Sequence, residues 1–444
     1  MCAETIAAIA TPPGQGGVGI VRVSGPLAGE IARGVLGLVP RPRYATFRTF
    51  ADADGCPIDE GISLFFPGPR SFTGEDVLEL QGHGGPLVLD LLLRRCLALG
   101  ARPARPGEFT ERAFLNGKLD LAQAEAVADL IESSTALGAR LAVRSLQGAF
   151  SRRIESLVEG LFRVRTYLEA TLDFPDDELE LTAESPLVAD LAALTKETRR
   201  VLDEAHQGER IRDGLTVTIA GPPNAGKSSL LNALAQNDAA IVTHIPGTTR
   251  DLLKLDIQVD GLPVRLVDTA GLRESKDPVE REGVRRARDQ MARSDLILWV
   301  YDGSLGFDPS EVAGLPDAVP LTLVRNKIDL ERVRPRSVRG GAEEIHLSAL
   351  TGEGLDALRT HLRTRAGVEG LGEGAFVARR RHLDGLERGL AQLERARAAL
   401  ATGGGAELAA LDLHSAQQAF ATITGEVTQD DLLGRIFSSF CIGK

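Results

Sequence analysis

Aromatic side chains are scarce: 4% of 444 residues, with one Trp and three Tyr, so aliphatic side chains must build the cores. Cysteine is scarcer still. Cys2, Cys56, Cys96 and Cys441 form no CxxC pair and have no histidine cluster beside them, which argues against a zinc site and against a disulfide framework. That pattern suits a reducing compartment. No apolar run approaches membrane-spanning length, and the first residues lack the basic start and long apolar stretch of a secretory signal. The expectation is a cytoplasmic protein with no membrane partner. Positive charge is also short: 51 Lys+Arg against 62 Asp+Glu gives −11. A protein that grips nucleic acid through a broad surface of its own is usually basic, so any contact with RNA is expected to be local or through a partner. Gly14-Gln-Gly-Gly-Val-Gly19 has the letters G-x-G-x-x-G but opens a second strand pattern, Gly19–Val23, rather than a helix, so the chain shows no fingerprint for a dinucleotide of its own.

What remains is ordinary for a globular chain, 43% hydrophobic and 25% charged, and long enough for about three domains. Residues 1–117 read as a small α+β domain. Strand patterns lie at Glu4–Ala10, Gly19–Val23, Thr46–Phe50, Ile62–Phe66 and Val77–Gln81, with helical patterns near Pro26–Leu36 and Pro86–Leu99. Residues 118–213 change to long amphipathic helices; Ile154, Leu157, Leu161, Val164 and Leu168 hold helical spacing. Ser185-Pro186 is a helix start, an N-cap hydroxyl followed by proline. Residues 214–372 alternate short apolar strands with helices, the pattern of a mainly parallel sheet. Residues 373–444 return to helix, with a stripe at Leu383, Leu386, Leu390 and Leu393. One helical domain interrupted by an inserted α/β domain is the economical organisation; two separate helical domains are the alternative.

The α/β block carries the chemistry. Gly221-Pro-Pro-Asn-Ala-Gly-Lys-Ser228 matches G-x-x-x-x-G-K-[ST] between a strand, Val217–Ala220, and a helix, Ser229–Ala235. Its glycines let backbone amides wrap phosphates at a helix N-terminus. Lys227 is placed to neutralise β/γ phosphates, and Ser228 to ligate Mg²⁺. Asp268-Thr-Ala-Gly271 ends the next strand and puts an acid near Mg²⁺ and a glycine amide near the γ-phosphate. Asn326-Lys-Ile-Asp329 ends another; the Asp329 carboxylate can accept from N1 and the 2-amino group of guanine, a donor pair that adenine lacks. Ser348-Ala-Leu350 supplies backbone near O6. Between these lies Gly247-Thr-Thr249, where Thr248 and Thr249 both offer a hydroxyl that closes over Mg²⁺; Thr249 is favoured. Leu272 stands where small GTPases often carry a water-orienting Gln. Leucine cannot orient water, so another group must, and Glu280, Arg250 and Arg273 are the nearby polar candidates.

The whole chain resembles one family, the tRNA wobble-uridine-modifying GTPases called MnmE or TrmE. The match rests on Thr11-Pro-Pro-Gly-Gln-Gly-Gly-Val-Gly19, Phe72-Thr-Gly-Glu-Asp76, Gln81-Gly-His-Gly-Gly85, Arg105-Pro-Gly-Glu-Phe109, Lys118-Leu-Asp-Leu-Ala-Gln-Ala124 and Cys441-Ile-Gly-Lys444 as well as the GTPase motifs. The resemblance implies an N-terminal folate-binding and dimerisation domain, a discontinuous helical domain and an inserted Ras-like P-loop GTPase domain. It implies a homodimer in a heterotetrameric complex with the flavoprotein MnmG, which holds FAD. Together these proteins add an aminomethyl or carboxymethylaminomethyl group to C5 of uridine 34 in certain tRNAs, drawing the carbon from 5-formyl- or methylene-tetrahydrofolate.

Carried residue by residue, the resemblance implies GTP contacts at Asn224, Ala225, Gly226, Lys227, Ser228 and Ser229, at Thr243, His244, Ile245, Pro246, Gly247, Thr248 and Thr249, at Asp268, Thr269, Ala270 and Gly271, and at Asn326, Lys327, Asp329, Ser348, Ala349 and Leu350. Magnesium falls to Ser228 and Thr249. Potassium replaces an arginine finger and falls to Asn224, Thr243, Ile245 and Thr248. Glu280 matches the catalytic glutamate. Folate falls to Arg22, Glu79, Lys118 and Lys444. His244 and Pro246 depart from the family's loop, which a carbonyl-based ion site tolerates. A GTP switch or scaffold in ribosome assembly is the competing reading; such a factor carries a basic RNA-binding module, and residues 1–120 offer none.

Overall fold

Val77–Gly84 alternates apolar with polar side chains, and it folds as a strand whose Leu78 and Leu80 are buried while Glu79, Gln81 and His83 turn to the other face. In the computed structural model of the protein, residues 4–173, 186–237, 254–268, 289–330, 343–367, 375–401, 405–426 and 430–443 are described. They group into two compact units, one drawn from Met1–Ala128, Ser145–Thr195 and Arg388–Lys444, the other from Asp129–Arg144 and Lys196–Glu387.

The first unit holds a six-stranded sheet built from β1 (Ile6–Ile9), β2 (Gly16–Ser24), β3 (Thr46–Ala51), β4 (Pro57–Phe66), β5 (Val77–Gly84) and β6 (Arg102–Pro103). Its order is β3-β4-β5-β2-β1-β6. All neighbours run antiparallel except β1 and β6. Helices α1 (Ala28–Leu36) and α2 (Pro86–Ala98) cover one face, where Ile31, Val35, Leu89 and Leu92 pack with Val21, Val23, Leu78, Leu80 and Phe50. Burial here pushes the Cys96 thiol up to about 12, so it behaves as a core methyl rather than a nucleophile. Helix α3 (Glu108–Leu115) follows β6, and α4 (Leu121–Glu132), α5 (Ala136–Leu146), α6 (Ala149–Asp173) and α7 (Pro186–Asp213) follow in turn.

In the second unit the chain alternates β7 (Leu215–Ala220), α8 (Lys227–Asn237), β8 (Lys254–Val259), β9 (Leu262–Asp268), β10 (Leu296–Asp302), β11 (Leu321–Asn326), β12 (Glu343–His346) and α9 (Leu355–Ala366). The sheet order is β12-β11-β10-β7-β9-β8. Five strands are parallel; β8 alone runs antiparallel, to β9. The β10 sequence Leu-Ile-Leu-Trp-Val-Tyr is buried throughout, as a strand covered on both faces requires. The β8–β9 hairpin turns at Asp260 and Gly261, both at positive φ, 49° and 90°. Those angles define the two-residue turn whose twist suits a hairpin.

The helical return is α10 (Arg380–Ala401), α11 (Ala406–Thr424) and α12 (Asp430–Ser438). Gly389 of α10 lets the Phe420 ring of α11 pack so closely that a Cβ there would lie 2.1 Å from it. Phe437 and Phe440, at the end of α12, pack with Leu121 of α4 and Phe114 of α3. Among the described residues the strands expected from the sequence are present, and α1, α2, α6 and α8 stand where helical patterns were expected; Ser185 and the helical pattern after Asp268 lie outside the described residues. Strands β6, β8 and β12 and helix α3 were not anticipated.

Candidate functional site

The second unit gathers its sequence motifs at the C-terminal ends of parallel strands, where ligands of open α/β sheets sit. Strand β7 leads into Gly221, at φ 141°, and a Cβ there would meet the Val300 carbonyl oxygen at 2.0 Å. Only glycine lets the loop start this close to β10. Asn224 adopts φ 63° and Gly226 φ 93°, and α8 begins at Lys227. The Lys227 ammonium donates to the carbonyls of Gly221 and Pro222, both at 2.8 Å, so it is folded over the loop's centre. Ser228 and Ser229 are exposed at the start of α8. Asp268 ends β9 in register with Ile219 of β7.

Asn326 is the hub. It is 2% exposed, and its Nδ2 donates to the Ala225 carbonyl at 2.8 Å. Its Oδ1 accepts from the amides of Lys327 at 2.8 Å and Ala349 at 3.0 Å. One amide side chain therefore ties the phosphate loop to the two loops expected to hold a guanine base. A Cβ on Gly226 would lie 2.2 Å from Asn326 Nδ2, so that glycine is also fixed by this hub. Ser348 Oγ donates to Asp329 Oδ1 at 2.5 Å, orienting the carboxylate expected to face a guanine base. Leu350 is exposed. A residue the motifs did not single out also takes part: Asp302, which ends β10 in register with Asn326, accepts from Lys327 Nζ at 2.6 Å and from Ser304 Oγ at 2.6 Å. The Lys327 ammonium, with Ser304, holds the Asp302 carboxyl below its usual range. Thr243–Thr249, Thr269–Gly271 and Glu280 lie outside the described residues, as does Lys444.

The first unit brings Arg22 and Glu79 together across β2 and β5, where the register pairs them. Arg22 Nε and Nη2 donate to Glu79 Oε1 at 3.0 and 2.8 Å, and Gln81 Nε2 donates to Glu79 Oε2 at 3.2 Å. The guanidinium sits 5.9 Å from the Phe72 ring centre and 5.7 Å from that of Phe109. Lys118 donates to the Pro69 carbonyl at 3.1 Å and lies against Gly74, two residues from Phe72. Arg22, which holds Glu79, and Lys118 therefore both meet the Pro69–Gly74 loop. Phe72 and Phe109 were not singled out individually, although both stand inside conspicuous motifs.

An ion network anchors that neighbourhood. Glu108, 2% exposed, accepts from Arg102 Nη1 and Nη2 at 2.9 and 2.5 Å and from the Arg105 amide at 2.8 Å. Burial pushes its carboxyl up, but the Arg102 guanidinium and the Arg105 amide outweigh that and hold it at about 2. Arg112 then bridges Glu108 and Glu75, and Glu75 accepts from Ser24 Oγ at 2.7 Å. Among the described residues no group of three or more His, Cys, Asp and Glu side chains could hold a metal. Among the same residues no helix is long and apolar enough to cross a membrane.

Residues 121–441 match the family profile "MnmE helical domain", and residues 5–118 match "GTP-binding protein TrmE N-terminus". Over full length the chain is 59% identical to the tRNA modification GTPase MnmE of Methylococcus capsulatus, covering 99% of each chain. It is 56% identical to the tRNA modification GTPase MnmE of Pseudomonas syringae pv. tomato, again covering 99% of each. Among solved structures, the G domain of the T. maritima FeoB iron transporter matches 34% of this chain and 98% of its own, at 25% identity and a TM-score of 0.27. Aquifex aeolicus Era matches 40% of this chain and 66% of its own, at 24% identity and a TM-score of 0.28.

Proposed function

The chain belongs to the MnmE family of tRNA modification GTPases and is a GTP hydrolase acting in tRNA modification, and on that premise we propose that it works in the cytoplasm as a potassium-dependent homodimer with the flavoprotein MnmG, adding an aminomethyl or carboxymethylaminomethyl group to C5 of uridine 34 with a tetrahydrofolate carbon. The observation that carries the GTP half is Asn326, whose one side chain fixes Ala225, Lys327 and Ala349 together. With that hub set, Asp329 accepts from the guanine edge while the Ala225–Ser228 amides and Lys227 hold the phosphates. Lys227 exchanges its two loop carbonyls for phosphate oxygens when nucleotide binds.

Ser228 fits magnesium: its hydroxyl is exposed at the helix start, beside the strand end that carries Asp268. Magnesium supplies charge neutralisation at the β- and γ-phosphates. Asn224, exposed and at positive φ, offers an amide oxygen that suits potassium. Thr243, Ile245, Thr248 and Thr249 complete the two ion sites, and Glu280 orients the attacking water in place of a glutamine.

Glu79 fits the amino-pterin edge of a folate. Its Oε2 carries a single hydrogen bond, from Gln81, and keeps acceptor capacity for an N–H pair. Arg22 orients that carboxylate through two hydrogen bonds to Oε1, and Phe72, 40% exposed, offers a ring face to a flat heterocycle. Lys118 and Lys444 provide cations for the glutamate tail. Tetrahydrofolate supplies the one-carbon unit. Strands β3 and β4 expose Phe47 (68%) and Ile62 (40%), apolar surface that supports pairing of N-terminal domains. The test is mass spectrometry of wobble uridines in cells lacking the protein and complemented with wild type or Glu79→Gln. Loss of the modification, restored by wild type and not by Glu79→Gln, is expected. Normal uridine modification without the protein refutes the reading.

A further inference from the structure

Strand β5 carries three polar side chains on its open face, Glu79, Gln81 and His83, and the proposed function employs only the first two. His83 is held unusually well for an exposed residue. Asp59 Oδ2 accepts from the His83 amide at 2.7 Å, and Asp59 Oδ1 meets the ring Nδ1 at 2.8 Å. The carboxylate side chain is 10% exposed whereas the imidazole is 75% exposed. Burial works against the charge on Asp59, yet the hydrogen bonds from His83 prevail and keep its carboxyl below the ordinary range. An ionised acceptor fixes the proton on Nδ1 and leaves the Nε2 lone pair facing outward. Among the described residues, Nε2 has no protein partner, and Asp59 is the sole charged group bonded to the ring.

Stability does not account for this arrangement. An ion pair with one member this exposed contributes little. It also imposes a glycine in a strand interior, because a Cβ on Gly82 would lie 2.3 Å from Asp59 Oδ2. The strand gives up a side chain so that a buried carboxylate can aim an exposed imidazole. That is the construction of a general base: an acid that fixes the tautomer and a free nitrogen presented to substrate.

We propose that the Asp59-oriented imidazole of His83 is the proton-transferring group for one-carbon transfer on this sheet face, with Asp59 as its positioning residue. The proposal rests on the reading that Arg22 and Glu79 hold methylene-tetrahydrofolate. Glu79 and His83 are four residues apart on one strand face, roughly 13 Å between Cα atoms at strand rise. A pteridine whose amino edge meets Glu79 and whose reactive nitrogens face along the strand would lie between that carboxylate and the imidazole. When carbon joins uracil C5, the C5–H bond breaks, its electron pair stays in the ring and a proton leaves. The folate nitrogen that gives up carbon keeps the C–N electron pair and needs a proton. His83 Nε2 takes the first and delivers the second. The amine that joins the same carbon releases the proton needed by the other folate nitrogen. No oxidant or reductant enters the exchange.

The experiment compares the full-length wild type, His83→Gln and Asp59→Asn, using 5-formyl-tetrahydrofolate as the binding probe. For both variants, melting temperature and probe affinity should stay close to wild type, within about threefold in Kd. With the flavoprotein partner and tRNA, wobble-uridine modification should fall roughly 100-fold or more in His83→Gln, and the acidic limb of its pH profile should vanish. Asp59→Asn should retain intermediate activity with that limb displaced. By nitrogen NMR, His83 should be the Nδ1–H tautomer and its resonances should move when the probe binds. A His83→Gln enzyme that modifies tRNA near the wild-type rate with an unchanged pH profile overturns the proposal, as do His83 resonances indifferent to the probe. If His83→Gln unfolds, Asp59→Asn decides by the same pH profile. A wild type that fails to bind the probe overturns the folate reading instead, and this proposal with it.

Discussion

Replacing Glu108 with Gln removes one negative charge from a site that is 2% exposed and leaves its shape almost unchanged. Two Arg102 nitrogens and the Arg105 amide then face a neutral amide, and Arg112 loses one of its two carboxylate partners. The carboxyl sits at about 2 in the fold against 4.5 when unperturbed. At about 1.36 kcal/mol per pKa unit, that displacement corresponds to roughly 3 kcal/mol at neutral pH. The folded value is depressed, so the stabilisation is fully present above about pH 4.5 and fades as pH falls through 2. At pH 3 about 1.4 kcal/mol should remain. Calorimetry of wild type and Glu108→Gln at pH 7 should separate the unfolding of the first unit by roughly 6–12 °C. The gap should narrow by more than half at pH 3 if the fold persists there. A variant within 2 °C of wild type at pH 7, or a gap independent of pH, refutes the reasoning that ionic contacts rather than shape hold Glu108.

Gly221→Ala places a Cβ 2.0 Å from a backbone carbonyl at a φ of 141°; nucleotide affinity should drop at least 100-fold, and fluorescent GDP binding within tenfold of wild type would contradict that geometry. Asp329→Asn should erode the preference for GTP over inosine and adenine nucleotides, read by competition binding; full selectivity would remove Asp329 from the base pocket. Glu280→Ala should slow steady-state GTP hydrolysis by about 10²-fold or more while GTP affinity changes little, and wild-type turnover should rise strongly in potassium but not sodium. Equal rates in the two salts would end the potassium reading.

The two candidate sites differ in how legible they were. The phosphate loop is local: Gly221 to Ser228 are contiguous, and each glycine is required by a contact that any loop of this shape makes. Arg22 and Glu79 each read as an ordinary strand-surface charge, because the sequence separation of 57 positions hides the register that pairs them. Asp302 was invisible for the same reason; it meets Lys327 only because β10 and β11 align Asp302 with Asn326. Strand β8 is a different kind of miss. Asp260-Gly261 is a strong local hairpin signal, but the flanking Lys254–Val259 alternates polar with apolar residues and was overlooked among purely apolar strands. Strands β6 and β12, two and four residues long, carry too little pattern to be seen before their partners are known.

An inserted segment must leave and re-enter its host without loosening it, and the chain meets that condition with one carboxylate. Arg212 stands at the end of α7, just before β7, and Arg379 stands just before α10 on the way back. Both donate to Asp129 Oδ1 of α4 at 2.7 Å, and the Asp129 side chain is 6% exposed. Departure and return are therefore pinned to the same atom, although 166 residues separate the two arginines along the chain (379 − 212 − 1). Gly214, at φ 76°, makes the turn from helix to strand where a Cβ would meet Pro263 O at 2.7 Å. Gly208 of α7 lies so close to the returning backbone that a Cβ there would be 2.2 Å from Phe376 O. Losing one arginine leaves the other pair intact, whereas losing Asp129 breaks both at once and leaves Arg212 with Asp213, 2.5 Å from its Nη1.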